Sequence, residues 1–198
     1  MDPGSLLECE PAPGGRRFSG RRRVRLGDVT SAGRLRLDAL TRYTQDVSDD
    51  DTTDAGLTDP DSVDDPTGPA EPAWVVRRTA VAELRPAQLG EDIEITTFCS
   101  GLGRRWAERH LRVVGSSGAA YEVSTLWICI DAVTGRPREL TERFRRLYGP
   151  AAGGRQVTAR LSHPRPEPGA ARFPWPLRAA DLDVYGHVNN AAYWAVVE

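Results

Sequence analysis

The hydrophobic period of this chain changes once, and that change limits the folds open to it. Leu37, Leu40, Thr44 and Val47 recur at helical spacing with Tyr43 beside them, which predicts a helix over about Leu37–Asp50 with one buried stripe. From Trp74 the period becomes two. Trp74–Leu84, Asp92–Ser100, Arg104–Val114 and Ala119–Asp131 are predicted strands, parted by turn residues at 86–90, 101–103 and 115–118. Ile93, Ile95 and Cys99 share one face of the second strand, and Trp106, Ala107, Leu111 and Val113 give the third apolar material on both faces. The run Leu126–Ile130 is that of a central strand covered on both sides. Short turns favour antiparallel pairing. One helix followed by a long antiparallel sheet is an α+β arrangement, and the sheet has to wrap around the helix to bury both.

The flanks read differently. Residues 1–20, with Pro3, Pro11, Pro13 and no periodicity, predict a disordered tail. Arg16, Arg17, Arg21, Arg22, Arg23 and Arg25 form a basic run, read first as a solvated charge run and second as a contact for phosphates or an acidic carrier protein. Arg21–Gly27 is a short predicted strand. Asp49, Asp50 and Asp51 open a stretch to Asp65 that reads as an acidic loop, without the Gly and Glu spacing of a calcium-binding EF-hand. Glu139–Leu147 predicts a short helix and Gly149–Ala171 a linker. Phe173–Arg178 reads as a new first strand, confined to an edge by Pro174 and Pro176.

Composition narrows the function. The chain has 198 residues, 39% hydrophobic and 27% charged, ordinary for a globular protein, and a net charge of −2 that gives no bulk attraction to nucleic acid or membrane. Cys9, Cys99 and Cys129 form no CxxC pair, which argues against a disulfide framework or a zinc site and for a reducing compartment. Cys99 and Cys129 read as small core residues, and His110 and His163 as incidental. No segment approaches the roughly 18 apolar residues of a membrane span, so a cytoplasmic location is expected. There is no GxSxG elbow, Walker loop, GxGxxG or HExxH, hence no support for a serine hydrolase of the α/β class, a nucleotide cofactor or a zinc protease. No cofactor and no metal are expected.

Chemistry concentrates in the last stretch, Asp181 to Glu198. Gly186 marks a turn, and Val188–Val197 predicts an apolar helix whose free N–H groups and dipole favour developing negative charge. Asn189 or Asn190 suits its cap. Asp183 and His187 can flank one small site, where a histidine beside a carboxylate can handle protons. From spacing alone, a capped turn with a surface histidine is an equal reading. Asp28, Gly33, Arg34 and Leu35 match Asp181, Gly186, His187 and Val188 at identical spacing, each block between a short strand and a helix, which suggests duplication. The first copy has Arg34 in place of histidine and lacks both asparagines.

Asp183-Val-Tyr185-Gly-His187-Val-Asn189-Asn190, followed by Tyr193, resembles the signature of the hotdog-fold acyl-ACP thioesterases. That signature, Asp-x-Asn-x-His-Val-Asn-Asn, opens the second of two tandem hotdog domains. Tyr185 stands where the family usually has Asn. The resemblance implies a complete hotdog over 21–148, a linker over 149–172 and the start of a second hotdog over 173–198. A truncated form with little activity of its own is therefore expected, in which Ala191, Ala192, Trp194, Val196 and Val197 lack the sheet that should cover them. The resemblance further implies a thioester hydrolase that releases free fatty acid from acyl carrier protein in fatty acid biosynthesis. Asp183, His187 and Asn189 would be catalytic, and Asn190, Tyr185, Leu37, Leu40 and Tyr43 would bind substrate. Trp74 and Trp127 are further candidates to line an acyl tunnel. The acyl carrier protein would be the partner, and a homodimer is one assembly in which a second chain supplies the missing sheet. An acyl-CoA hotdog thioesterase, a hotdog hydratase and a non-catalytic acyl-binding module are the alternatives.

Overall fold

A computed structural model describes residues 8–57, 72–161, 165–183 and 186–198. Five strands, β1 (Phe18–Arg23), β2 (Pro72–Arg85), β3 (Asp92–Leu102), β4 (Trp106–Gly115) and β5 (Ala120–Asp131), form one antiparallel sheet in the order β1-β3-β4-β5-β2. The sheet curls around α1 (Leu37–Asp54), the hotdog arrangement that the single change of period demands. Leu40, Tyr43 and Val47 on α1 meet Ile93 and Ile95 of β3, Leu111 and Val113 of β4, and Tyr121 and Val123 of β5. Leu40, Val47, Ile95, Val113 and Val123 are fully buried, and complete burial of one such side chain is worth about 1.5–3 kcal/mol.

A second cluster sits at the far end of the sheet. The helix α2 (Glu142–Ala152) packs Phe144, Tyr148, Ala151 and Ala152 on Phe98, Cys99, Leu102 and Cys129. Thr141 caps it, its hydroxyl accepting from Phe144 N at 3.2 Å. The helix starts and ends later than the expected Glu139–Leu147, so 149–152 belongs to it and not to a linker. Burial pushes the Cys99 thiol up to about 11 and raises that of Cys129, which makes both packing residues at neutral pH. His110 is buried beside this cluster, with Nε2 2.7 Å from Glu122 Oε2 and Phe98 against its ring. Burial lowers its pKa despite Glu122.

Three expectations need correction. The acidic run is not a loop, because Asp49–Asp54 completes α1; the expected loop beyond 57 lies outside the described residues. Cations remote in sequence explain this. Arg16 Nε donates to Asp51 Oδ1 at 2.8 Å and Nη2 to Asp54 at 2.6 Å, and Arg22 donates to Asp50 at 2.7 Å. The same contacts order residues 8–20, expected to be a tail: Ala12 N donates to Ala151 O, and β1 starts at Phe18. Residues 173–178, expected to be a strand, form none; Phe173, Trp175 and Leu177 are exposed, and two prolines there have no N–H to offer a ladder. Among the described residues, no helix is long and apolar enough to cross a membrane, and no group of acidic, Cys and His side chains is placed to hold a metal.

Asp51 is the polar centre of this fold. Only 1% exposed, it accepts from Arg16, from Arg109 Nη1 and from Tyr148 OH at 2.9 Å. Burial would lower the Arg109 pKa, and Asp51 with Tyr148 more than offsets it, leaving it raised. Asp51→Ala strands a buried guanidinium and is expected to cost about 3–5 kcal/mol. Asp54→Ala, which removes an exposed partner, should stay below about 1 kcal/mol. Urea midpoints that fall equally for the two variants would refute this ranking.

Candidate active site

The two loops matched in sequence share one pattern of backbone hydrogen bonds among the described residues. Asp28 N donates to Arg25 O and Asp181 N to Arg178 O, both at 3.0 Å. Thr30 N reaches Arg34 O and Asp183 N reaches His187 O, both at 2.8 Å. Gly33 N bonds Thr30 O at 2.9 Å, and Gly186 N bonds Asp183 O at 3.0 Å. Arg36 N donates to Asp28 O at 2.9 Å, as Asn189 N does to Asp181 O at 2.8 Å. Isolated bridges pair Val29 with Leu35 and Leu182 with Val188. Gly33 and Gly186 have φ of 81° and 75°, the left-handed region that favours glycine, which explains why glycine stands in both copies.

On this common loop the side chains differ. Thr30, Arg34 and Arg36 of the first copy correspond to Asp183, His187 and Asn189 of the second. Asp183 Oδ1 accepts from His187 N at 3.0 Å, so this carboxylate fixes the histidine's backbone. Asn189 is the cap: its Oδ1 accepts from Ala191 N at 2.9 Å. The helix starts at Asn190, later than the expected Val188, as a 3₁₀ turn (Asn190–Tyr193) running into α3 (Trp194–Val197). His187 and Asn190 are exposed, Asp183 and Asn189 half-buried. Asp181, 4% exposed, anchors the loop from below: Arg178 and its backbone N–H hold its carboxyl below the usual range. The structure therefore brings Asp183, His187, Asn189 and Asn190 onto one turn, while Tyr185 lies outside the described residues.

Leu37, Leu40 and Tyr43 lie elsewhere. Leu40 and Tyr43 are core residues, Leu37 packs against that core, and the Tyr43 hydroxyl donates to Asp28 Oδ2 at 2.6 Å. Two concavities flank α1. One, about 330 Å³, separates its first turns (Arg36, Asp38, Arg42) from Arg178, Asp181 and Asn189. The other, about 150 Å³, lies between the C-terminal half of α1, the sheet and α2. Trp74, Trp127, Ala107 and Phe144 wall it, and Gln45, Ser48, Asp49 and Thr52 face it from α1. Their spacing of three and four residues marks a second stripe on α1, a signal available in the sequence beside the apolar one.

One antiparallel sheet curled around one central helix defines the hotdog class of folds. Residues 15–148 match the family model for the acyl-ACP thioesterase N-terminal domain, and residues 169–198 match that for the acyl-ACP thioesterase C-terminal domain. The chain belongs to the acyl-ACP thioesterase family. Two uncharacterized proteins of Mycobacterium tuberculosis, MT2057 and Rv2001, are 30% identical over 172 residues, which cover 87% of this chain and 65% of theirs. The chain thus spans 65% of the length of these curated relatives. Its fold is similar to the 12:0-ACP thioesterase from Umbellularia californica, with TM-score 0.68 and 22% identity over 90% of this chain and 72% of that one. It is also similar to an acyl-ACP thioesterase from Bacteroides thetaiotaomicron, with TM-score 0.65 and 17% identity over 91% of this chain and 72% of that one.

The cap yields a local prediction. Asn189→Ala removes the acceptor of Ala191 N and should cost about 1 kcal/mol of helix-start stability, read as roughly fivefold faster amide exchange at Ala191. Unchanged exchange there would show that the turn does not depend on this cap.

Proposed function

We propose that this protein is the hydrolase its family name describes, cleaving fatty acyl thioesters of acyl carrier protein. The observation that supports this most is the Asp183–His187–Asn189 turn at a helix start, in the one copy of the loop that carries those side chains. A thioester is already activated, so its hydrolysis needs a placed water, a base and stabilisation of the oxyanion. His187 takes a proton from the attacking water as the water oxygen bonds to the carbonyl carbon. The C–S bond then breaks, and the proton passes to the departing thiolate, giving a fatty acid and the free carrier thiol. Asp183 positions His187 through its backbone, a role that its contact to His187 N favours over that of nucleophile. Asn189 fixes the helix start, and Asn190, exposed on it, contacts the thioester. No cofactor enters this chemistry.

In this reading the acyl tail lies in the cavity walled by Trp74 and Trp127. An apolar cavity near 150 Å³ accommodates a benzene-sized group, so this one takes about six terminal carbons. Leu37, Leu40 and Tyr43 then act on the tail only by fixing α1. The domain division, with a first hotdog from β1 through α2, a linker from 153 to 172 and the second hotdog from 173, is part of the same proposal, as is a cytoplasmic location.

His187→Ala is expected to lower acyl-ACP hydrolysis by at least ~10²-fold with the fold intact, the scale for losing a positioned acid–base group. Tyr185→Asn should be tolerated. Acyl-ACP, acyl-CoA and enoyl thioesters assayed side by side separate this reading from a CoA thioesterase, a hydratase and a non-catalytic binder. Full turnover by His187→Ala, or a preference for acyl-CoA, would contradict it.

A further inference from the structure

The face of β4 turned to α1 reads Ala107, Arg109, Leu111 and Val113, so a guanidinium interrupts an apolar stripe. Leu111 and Val113 on one side of it belong to the cluster around Leu40, and Ala107 on the other to the cluster around Phe144. The neighbours of Arg109 across the sheet are polar as well. It pairs with Thr125 of β5, whose hydroxyl bonds that of Thr79 on β2, and its Nη1 donates to Thr97 Oγ1 of β3 at 3.3 Å. Asp51 meets the same nitrogen from α1. A buried polar belt therefore crosses the sheet where the two apolar clusters adjoin.

This belt opens onto the cavity walled by Trp74, Trp127 and Phe144, and Arg109 lines that cavity with its guanidinium 5.2 Å from the Tyr148 ring centroid. Arg109 is only 9% exposed, and its bonds to Asp51 and Thr97 both leave from Nη1. Among the described residues, Nε and Nη2 have no hydrogen bond. A guanidinium has five N–H donors, and buried donors left without acceptors are costly. Charge, by contrast, is already matched, because Arg16 and Arg109 face Asp51 and Asp54. Glu108, also on the cavity, is taken by Arg78 and Ser100, and an incoming anion would meet Asp49 on the same wall. What the belt lacks is a neutral acceptor. Gln45 lines the same space half-buried, with no hydrogen bond from its carboxamide among the described residues, and can accept the proton of a hydroxyl.

We propose that this cavity is a subsite for an oxygenated acyl chain: its aromatic walls hold alkyl carbons, and Arg109 takes a hydroxyl carried toward the chain's far end. The proposal rests on the hydrolase reading for the thioester, while the cavity's preference for a hydroxyl can be read without it. A plain alkyl end would cover Nε and Nη2 and displace their water without replacing its hydrogen bonds, whereas a hydroxyl replaces them. A site that hydrogen-bonds a substrate hydroxyl discriminates against the analogue lacking it far better than an apolar pocket discriminates one methylene from none. Arg109 is in this account a specificity-determining residue.

The test uses the full chain and two near-isosteric probes that fit a benzene-sized cavity, phenol and toluene. Two-dimensional NMR follows the Arg109 Nε–H resonance, assigned by its loss in Arg109→Lys, and the indole resonances of Trp74 and Trp127. Both probes should shift the indoles, and phenol should also shift Arg109. Phenol should bind at least as tightly as toluene, whereas a cavity indifferent to the hydroxyl favours toluene by about tenfold, the cost of burying a hydroxyl without a partner. Asp51→Asn/Arg109→Met, which removes the buried charge pair as a unit, should restore that preference for toluene. On acyl-ACP, a chain with a terminal hydroxyl should show kcat/KM at least ~10-fold above the plain chain of equal carbon number at one or more lengths. Toluene favoured tenfold by the wild type, an Arg109 resonance unmoved by phenol, failure of both probes to bind, or plain chains preferred at every length would overturn the proposal, and none of these readings depends on a variant folding. A preference for phenol in a wild-type chain that hydrolyses no thioester would support the subsite and overturn the hydrolase reading alone.

Discussion

The fold depends on how one buried carboxylate is satisfied. Asp51 sits on the last turns of α1, where Arg16 approaches from the N-terminal segment, Arg109 from β4 and Tyr148 from α2. Those three partners belong to three different parts of the chain, so a single charge ties α1 to its own sheet and to both flanking segments. A buried pair of this kind adds little net stability over apolar packing, but losing one member is costly. Its value here is one of placement. The central helix is pinned at its C-terminal end, and its N-terminal half and one long face are left to meet the second repeat.

That second contact gives α1 its bearing on chemistry. Its first turn receives Glu198, and Gln45, Ser48, Asp49 and Thr52 wall the cavity further along it. The second repeat supplies a turn with the same backbone hydrogen bonds but different side chains. The side chains differ at Thr30 against Asp183, Arg34 against His187, Arg36 against Asn189 and Leu37 against Asn190, so the first turn is closed by Glu198 and the second carries a carboxylate and an imidazole.

Much of this was legible in the sequence, for identifiable reasons. The helix and four of the strands were readable because apolar spacing of 3.6 and 2 is a direct consequence of which faces are buried. The turn was readable because Asp, Gly and Asn each do a local job there that other residues do poorly. The extension of α1 through Asp49–Asp54 was not, since three successive aspartates look solvated until Arg16, Arg22 and Arg109 arrive from far away in sequence. The ordering of residues 8–20 was hidden for the same reason, and the two prolines near Phe173 explain why the expected strand there is absent. Leu40 and Tyr43, assigned to substrate by resemblance, lie in the core, whereas Gln45 and the cavity stripe needed the helix's orientation to be seen.

The central claim is that one substrate spans both repeats, with its carbonyl at the second helix start and its tail against the first repeat's sheet. A crystal structure with a non-hydrolysable acyl thioether or ketone analogue of the carrier's prosthetic arm tests it most directly. The carbonyl oxygen, or the atom replacing it, is expected within hydrogen-bond distance of Asn190 N, and the terminal carbons between Trp74 and Trp127. A tail lying in the charged cleft beside Arg36, Arg42 and Arg178, or a carbonyl remote from His187, would contradict it.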